Sequence, residues 1–298
     1  MSNPKEIKKR ILSIDSVVKT TEAMKMISIV KLRKSKELLL HIKRYSESIE
    51  QLFQHFLLSF HDKLENIQDN KYFFSSGKKK LFIVITSNRG LCGAFNSLIF
   101  DKIHRYIQEN GYLKKDCIFF SIGKKGFDFL SRKYNMYKKK KKIPNNFTYK
   151  YKDVIIFVKE LIEDFFSKKF HSIYLIYNHL KNSFFQEIII EQFFPIIFTN
   201  FENKSSKKSS NYSILEPSKE EILDYIIPKF LSVKLFKSIL ESSTSEHTAR
   251  MMSMHKATES ASDIKKNLML NYNKERQTSI TKEILEIISG LEALSETN

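Results

Sequence analysis

Glycine and proline are scarce in this chain, and where they fall matters more than how few they are. There are seven glycines and five prolines in 298 residues. All the glycines except Gly290 lie between Gly77 and Gly126. Neither residue interrupts Lys5–Ser76 or Lys229–Ser289. Without breakers, those two stretches can run as long helices, while the middle must turn often. Cysteine is nearly absent. Cys92 and Cys117 form no Cys-x-x-Cys pair, which excludes a disulfide framework and a cysteine metal cluster and leaves two reduced thiols of an intracellular protein. No apolar run reaches the roughly 18 residues of a membrane-spanning helix. The opening residues Met1–Glu6 have neither a signal h-region nor an import leader, so the expectation is a cytosolic protein, peripheral to something larger.

Acidic residues are also in deficit. Against 33 Asp and Glu stand 51 Lys and Arg, a formal charge of +18. Such a chain calls for an acidic partner, and nucleic acid is the first class to consider. Part of the excess has a plainer source. Lys outnumbers Arg 43 to 8, Phe and Tyr are frequent and Trp is missing, which is the usage of an A/T-rich genome.

Catalytic motifs are missing too. The eight histidines include no His-Glu-x-x-His, and no Gly-x-Ser-x-Gly elbow occurs. The turn Thr86–Asn96 (T-S-N-R-G-L-C-G-A-F-N) follows an apolar strand, the place where α/β proteins often hold phosphate. A P-loop would need Gly-Lys-Ser/Thr after the second glycine, and a dinucleotide site would need G-x-G-x-x-G. Neither stands here or at Gly123–Gly126, so a structural tight turn is expected and no cofactor is assigned.

What is present divides the chain into four parts. Residues 1–76 carry apolar positions Ile7, Ile11, Ile14 and Val18, resumed at Leu39, Ile42, Tyr45, Ile49, Leu52, Phe56 and Phe60. Steps of three and four make one helical stripe. Residues 217–298 repeat the pattern through Met251, Met254, Thr258, Ala261, Leu268 and Tyr272, then Ile280, Ile284, Ile287, Leu291 and Leu294. Ser218 and Glu221 form a capping-box pattern, and Pro228 is expected to kink or restart the helix. Two breaker-free stripes at opposite ends of a chain predict an antiparallel coiled coil. Residues 77–201 alternate. Strands are expected at Leu81–Thr86, Ile118–Ile122, Ser172–Tyr177 and near Glu187–Ile190. Helices are expected through Leu98–Tyr106, after Gly126, and over Val154–Phe166. That is the pattern of a Rossmann-like parallel sheet. The run Lys138–Lys142 is expected on a loop or strand edge, and the polar tract Glu202–Asn211 marks a linker at 202–216.

Four segments together resemble the gamma subunit of the rotary ATP synthase. They are K-E-I-K-K-R-I-L-S-I with T-T-E-A-M-K-M-I-S, then S-N-R-G-L-C-G-A-F-N, then E-H-T-A-R-M-M-S-M-H-K-A-T-E-S, and Y-N-K-E-R-Q-T-S-I-T-K-E-I-L-E-I-I-S-G. They occur in the family's order and span essentially the whole chain. The resemblance implies α/β plus long helices, an antiparallel terminal coiled coil with an inserted Rossmann-like domain that binds no nucleotide. It implies a non-catalytic rotating shaft in the central cavity of an alpha–beta hexamer, joined to the epsilon subunit and to the membrane ring of c subunits. It places the chain on the cytoplasmic face of a bacterial membrane, where proton-driven rotation is coupled to ATP synthesis or hydrolysis. Positions that match family contacts with the beta subunit are Met24, Lys25, Arg33, Arg250, Arg276, Gln277, Thr281 and Glu286. An acidic lever loop on the beta subunit would supply the partner that the charge asks for. The chain departs from the family at Glu22, where Lys is usual, at Ser28-Ile29, where small alanines are usual, and at Gly290–Ala293. The rival readings are a basic coiled-coil protein that binds nucleic acid and a nucleotide-dependent enzyme using the Gly90–Gly93 turn.

Overall fold

The computed structural model describes residues 4–58, 71–74, 77–137, 150–181, 186–196 and 218–296. The Lys138–Lys142 run and the tract 202–216 lie outside them. In chain order the elements are α1 Pro4–Leu58, β1 Lys79–Ile85, α2 Phe95–Glu109, β2 Cys117–Ile122, α3 Lys124–Leu130, β3 Asn135–Met136, α4 Tyr151–Phe166, β4 Phe170–Leu180, β5 Gln186–Phe194 and α5 Lys219–Glu296. Two compact units result, Val30–Ala249 and Met1–Ile29 with Arg250–Asn298.

The larger unit is built on a five-stranded sheet of order β3-β2-β1-β4-β5. β1 pairs in parallel with β2 and β4, and β2 with β3. β5 alone is antiparallel, to β4. Only residues 181–185 separate those two strands, too few for the crossover that a parallel pair needs. β1 is the central strand, and its side chains alternate between two cores. Leu81, Ile83 and Ile85 face Phe157, Val158 and Leu161 of α4, together with Phe53 of α1 and Leu231, Leu235 and Ile239 of α5. Phe82 and Val84 face Phe95, Ile99, Ile103 and Ile107 of α2 and Leu130 of α3. The four α2 residues recur at every fourth position, so the helix buries one face and leaves Leu98 outward at 42% exposure. Phe82 stacks between Phe119 and Tyr174, with ring centres 5.1 and 5.3 Å away. Removing a ring this deeply buried costs about 3–5 kcal/mol.

At the start of α5, the Glu221 amide donates to Ser218 Oγ at 3.3 Å, and that hydroxyl reaches the Glu221 carboxylate at 3.1 Å. The amide bond to the Ser218 hydroxyl is the N-cap half of the box that the sequence pattern calls for. Pro228 does not restart the helix, because α5 runs through it from Lys219 to Glu296.

The smaller unit pairs the first part of α1 with the last part of α5. The hydroxyls of Thr21 and Thr258 are hydrogen-bonded at 2.9 Å, and Lys265 Nζ meets Asp15 Oδ1 at 2.6 Å. One number falls as the other rises, so the helices are antiparallel. Among the less exposed positions of α1 here are 4, 7, 11, 14, 18, 21, 25 and 28, with Asp15 beside them. Among those of α5 are 251, 254, 258, 261, 265, 268, 272 and 275. Alternating steps of three and four are the seam of a left-handed coiled coil. The expected Ile7, Ile11, Ile14 and Val18 all lie on it. Thr21, Lys25, Ser28, Thr258 and Lys265 share the seam, so its polar positions set the register at some cost in apolar contact.

Candidate functional site

The turn after β1 is tied by hydrogen bonds to the start of α3 and to α2. The α3 amides of Lys124, Lys125 and Gly126 donate to Asn88 Oδ1 at 3.1 Å, Ser87 O at 3.1 Å and Thr86 Oγ1 at 3.0 Å. These are the N–H groups that would otherwise face an anion. The Ser87 amide donates to Asn96 Oδ1 at 3.1 Å, and Asn96 Nδ2 returns a bond to Ser87 Oγ at 2.8 Å. The glycines serve this closure. A Cβ on Gly123, at φ +117°, would lie 2.2 Å from Thr86 O, and one on Gly126 2.3 Å from Ser121 Oγ. The turn is a clasp between β1, α2 and α3. It also holds Leu91 outward, 61% exposed, with φ at +62°. A large side chain in the left-handed region is uncommon and strained. Leu91 is absent from the sequence-derived contact set, although its place between Gly90 and Gly93 signals such a turn.

The sequence-derived site residues fall into separate groups. Arg33 belongs to the larger unit, is exposed, and pairs with Glu37 at 3.3 Å. A pair this exposed is worth at most about 1 kcal/mol. The others lie in the smaller unit. The Thr21–Thr258 and Asp15–Lys265 pairs put Lys25 opposite Met254 and place Arg250 near the same level. Met24 points outward at 38% exposure, whereas Lys25 and Arg250 are half-buried. Arg276, Gln277, Thr281 and Glu286 are exposed and form a second level. Arg250 and Arg276 lie 26 residues apart on α5, about 39 Å at 1.5 Å per residue. Thr281 Oγ1 donates to the Gln277 carbonyl at 3.0 Å, and Glu286 pairs with Lys282 at 3.7 Å.

The register exposes a further feature. Pro4 stands opposite residues 275–276, so α5 beyond that point has no described α1 residue across from it. An apolar stripe follows on another face of α5, since the seam's own spacing leads on to Ser279, Lys282, Glu286 and Ser289. Ile280 is 48% exposed, Ile284 51%, Ile287 64% and Leu291 62%. An apolar stripe open over three turns is a surface for another body to cover.

The departures from the family pattern are accommodated locally. Ser28 is buried, and its hydroxyl donates to the Met24 carbonyl at 2.8 Å. Glu22 is exposed. On the seam, Asp15 is held down to about 2 by the Lys19 ammonium first and by Lys265 second.

The profile of a family described as ATP synthase matches residues 3–294. The chain is 40% identical to the ATP synthase gamma chain of Christiangramia forsetii, over 99% of its own length and 100% of that relative's. It is 40% identical to the gamma chain of Flavobacterium johnsoniae over the same shares, and 34% identical to that of Geotalea uraniireducens over 99% of each chain. Among solved structures it resembles a chain of the Tetrahymena thermophila mitochondrial ATP synthase, from a structure of its central stalk and c-ring. The TM-score there is 0.55 at 20% identity, covering 80% of this chain and 99% of that one. A chain of the Euglena gracilis mitochondrial ATP synthase matches with TM-score 0.50 at 18% identity, covering 88% and 94%.

Proposed function

The chain belongs to the ATP synthase gamma chain family, and from that premise we propose that it works as a non-catalytic shaft turning inside an alpha–beta hexamer. It is a gamma subunit of the F-type enzyme, part of the central stalk. The observation that carries the shaft reading is the bare apolar stripe Ile280–Leu291 on α5, past the last α1 residue opposite it. A ring of subunits with an apolar bearing would cover that stripe while making no fixed polar bond to any one position. Rotation needs such contacts, since bonds that favour one angle strongly would hold the shaft there.

The two levels of polar residues then take distinct parts. Met24, Lys25 and Arg250 sit where the seam is half open, and Arg33 adds a positive charge in the larger unit. These positions suit an acidic lever loop on a beta subunit, because Coulomb attraction tolerates a changing partner. Arg276, Gln277, Thr281 and Glu286 are exposed donors and acceptors near the open stripe, suited to polar contacts with a beta-subunit loop at particular angles. Each beta subunit would meet a different face of the shaft, and the difference in contact energy would bias its affinity for ADP, phosphate and ATP. The alternating domain, drawn at 77–201, would join epsilon and the ring of c subunits. Among the described residues no helix is long and apolar enough to cross a membrane, consistent with a peripheral place on the cytoplasmic face. None of the reported relatives supports the nucleic-acid reading, and the α3 amides bonded to Thr86, Ser87 and Asn88 beside the Gly90–Gly93 turn speak against the nucleotide one.

Reconstitution tests the proposal. The chain, mixed with purified alpha and beta subunits, should elute as a complex with one copy per three alpha–beta pairs and with ATPase activity absent from the parts. Gln277→Leu or Thr281→Val should leave that complex intact and slow its turnover. A chain that elutes alone and adds no activity would refute the shaft reading.

A further inference from the structure

Past the seam, α5 is held by its own backbone and by little else. Every residue from Ile280 to Leu291 is exposed. Among the described residues, the polar side chains of this stretch bond only within α5. Ser279 Oγ reaches the Glu283 carboxylate at 3.3 Å and Lys282 reaches Glu286 at 3.7 Å. The Thr281 and Ser289 hydroxyls donate to the carbonyls of Gln277 at 3.0 Å and Leu285 at 2.7 Å. Such back-bonds favour a bend more than they favour the helix. In the seam, by contrast, Met254 and Ala261 are buried against α1, at 4% and 6% exposure.

What remains is the segment's own helix propensity, and that is poor. Of the twelve residues from Ile280 to Leu291, seven are Ile, Thr, Ser or Gly. Each of these propagates a helix less well than Ala, Leu, Lys or Glu, and Gly least of all. A Cβ on Gly290 would meet nothing within 4 Å, so no packing asks for glycine there. The last turn of α5 has no basic residue to offset the negative end of the helix dipole. The seam spares this segment the cost of nucleation, so each residue need only extend a helix already begun. Extension is close to break-even even for good helix formers, and for this composition it falls below that. Most helices in proteins are held by packing of an apolar face, and here that face is uncovered.

We infer that the end of α5 folds on assembly: it is helix while another body covers its apolar stripe, and it frays from Ser279 onward in the free chain. The identity of that body rests on the shaft reading. Fraying also hides the stripe, since Ile280, Ile284, Ile287 and Leu291 line up only on a formed helix. The free chain then does not present them as one apolar patch. The cost of ordering falls at the moment of binding, and apparent affinity is reduced by the fraction of chains already helical. Gly290 and Ser289 thereby tune assembly through helix propensity.

Amide hydrogen exchange, read by mass spectrometry on the full chain, tests this. In the free chain, amides 280–291 should exchange within about tenfold of an unstructured peptide, while those of 254–272 should be slowed at least about a hundredfold. In complex with alpha and beta subunits, 280–291 should be slowed at least about tenfold. Gly290→Ala should raise the helical population of the free segment by up to about fivefold and tighten binding by a similar factor. Ser289→Ala should act in the same direction by about twofold. Three results would each overturn the inference. They are equal protection of 280–291 and 254–272 in the free chain, no gain of protection at 280–291 on assembly, and free-chain exchange unchanged in both variants. The last would assign any tighter binding to new contacts. A chain that forms no complex counts against the shaft reading instead, because fraying is decided on the free chain alone.

Discussion

At the scale of single residues, the chain spends its polar groups on structure. Asp15 sits on the seam between Lys19 and Lys265, at 2.7 and 2.6 Å. Its pKa falls from 3.8 to about 2, with the Lys19 hydrogen bond the largest cause and the Lys265 bond next. A depressed carboxyl stabilises the folded state at every pH above its unfolded value, and that contribution is lost as pH falls through the folded one. Its stabilising contribution should therefore be full above about pH 4 and fall away between about 4 and 2, and the cross-helix pair itself should open as pH falls through about 2. The Asp15 carboxyl carbon, followed by NMR through an acid titration, should show a midpoint near 2. A midpoint at 3.8 would mean that neither lysine holds the carboxylate in solution.

Gly126 makes a second residue-scale case. Its amide donates to Thr86 Oγ1, and an added Cβ would lie 2.3 Å from Ser121 Oγ and 2.5 Å from that same Thr86 oxygen. Gly126→Ala should force α3 away from β1 and lower the unfolding free energy by about 1–3 kcal/mol, as overpacking does. Urea denaturation of the two proteins would measure the difference. The glycines of this turn invite a nucleotide reading, and in the sequence nothing but motif spacing speaks against it. The structure supplies a physical reason, because the α3 amides facing the turn are already bonded to Thr86, Ser87 and Asn88.

At the scale of elements, α5 changes its surroundings along its length while its pattern barely changes. Ile227, Leu231, Leu235 and Ile239 are buried under the sheet, Met254 and Ala261 lie in the seam, and Ile280, Ile284 and Ile287 are open. The spacing of three and four reports that a face is apolar, and is silent on what covers it. Substituting Ile280, Ile284 and Ile287 together by Ser should therefore leave the free chain's stability within about 0.5 kcal/mol per site. The same variant should bind alpha and beta subunits at least about tenfold more weakly, since each isoleucine buried on assembly contributes about 1.5 kcal/mol or more. Equal binding by the variant and the parent, measured by size exclusion across a dilution series, would remove the bearing role of this stripe. β5 shows a different limit. Its residues read as a strand, but its direction follows from the short connection to β4, a tertiary constraint rather than a pattern.

At the scale of the whole molecule, charge and apolar surface are left over once the two units are folded. The formal charge is +18, yet the closest ion pairs, such as Lys169–Asp164 and Lys265–Asp15, engage only a few of the 51 basic side chains. Met26, Val30, Leu270 and Leu285 join the open stripe as large side chains more than half exposed. Folding alone does not use these groups, and assembly gives them a purpose. Excess positive charge speeds encounter with an acidic partner, and apolar faces hold the complex once formed.

The division of information follows from these cases. The sequence by itself determined the element types, the antiparallel pairing, the parallel core of the sheet and the family. Those depend on local spacing, on breakers and on ordered motifs, all of which are written along the chain. Tertiary structure decided which amides of the glycine turn are spent, how far apart the two levels of site residues lie, and where the seam runs out. The reason is physical: each of these depends on groups brought together by packing, and a hydrophobic pattern specifies a face without naming its neighbour.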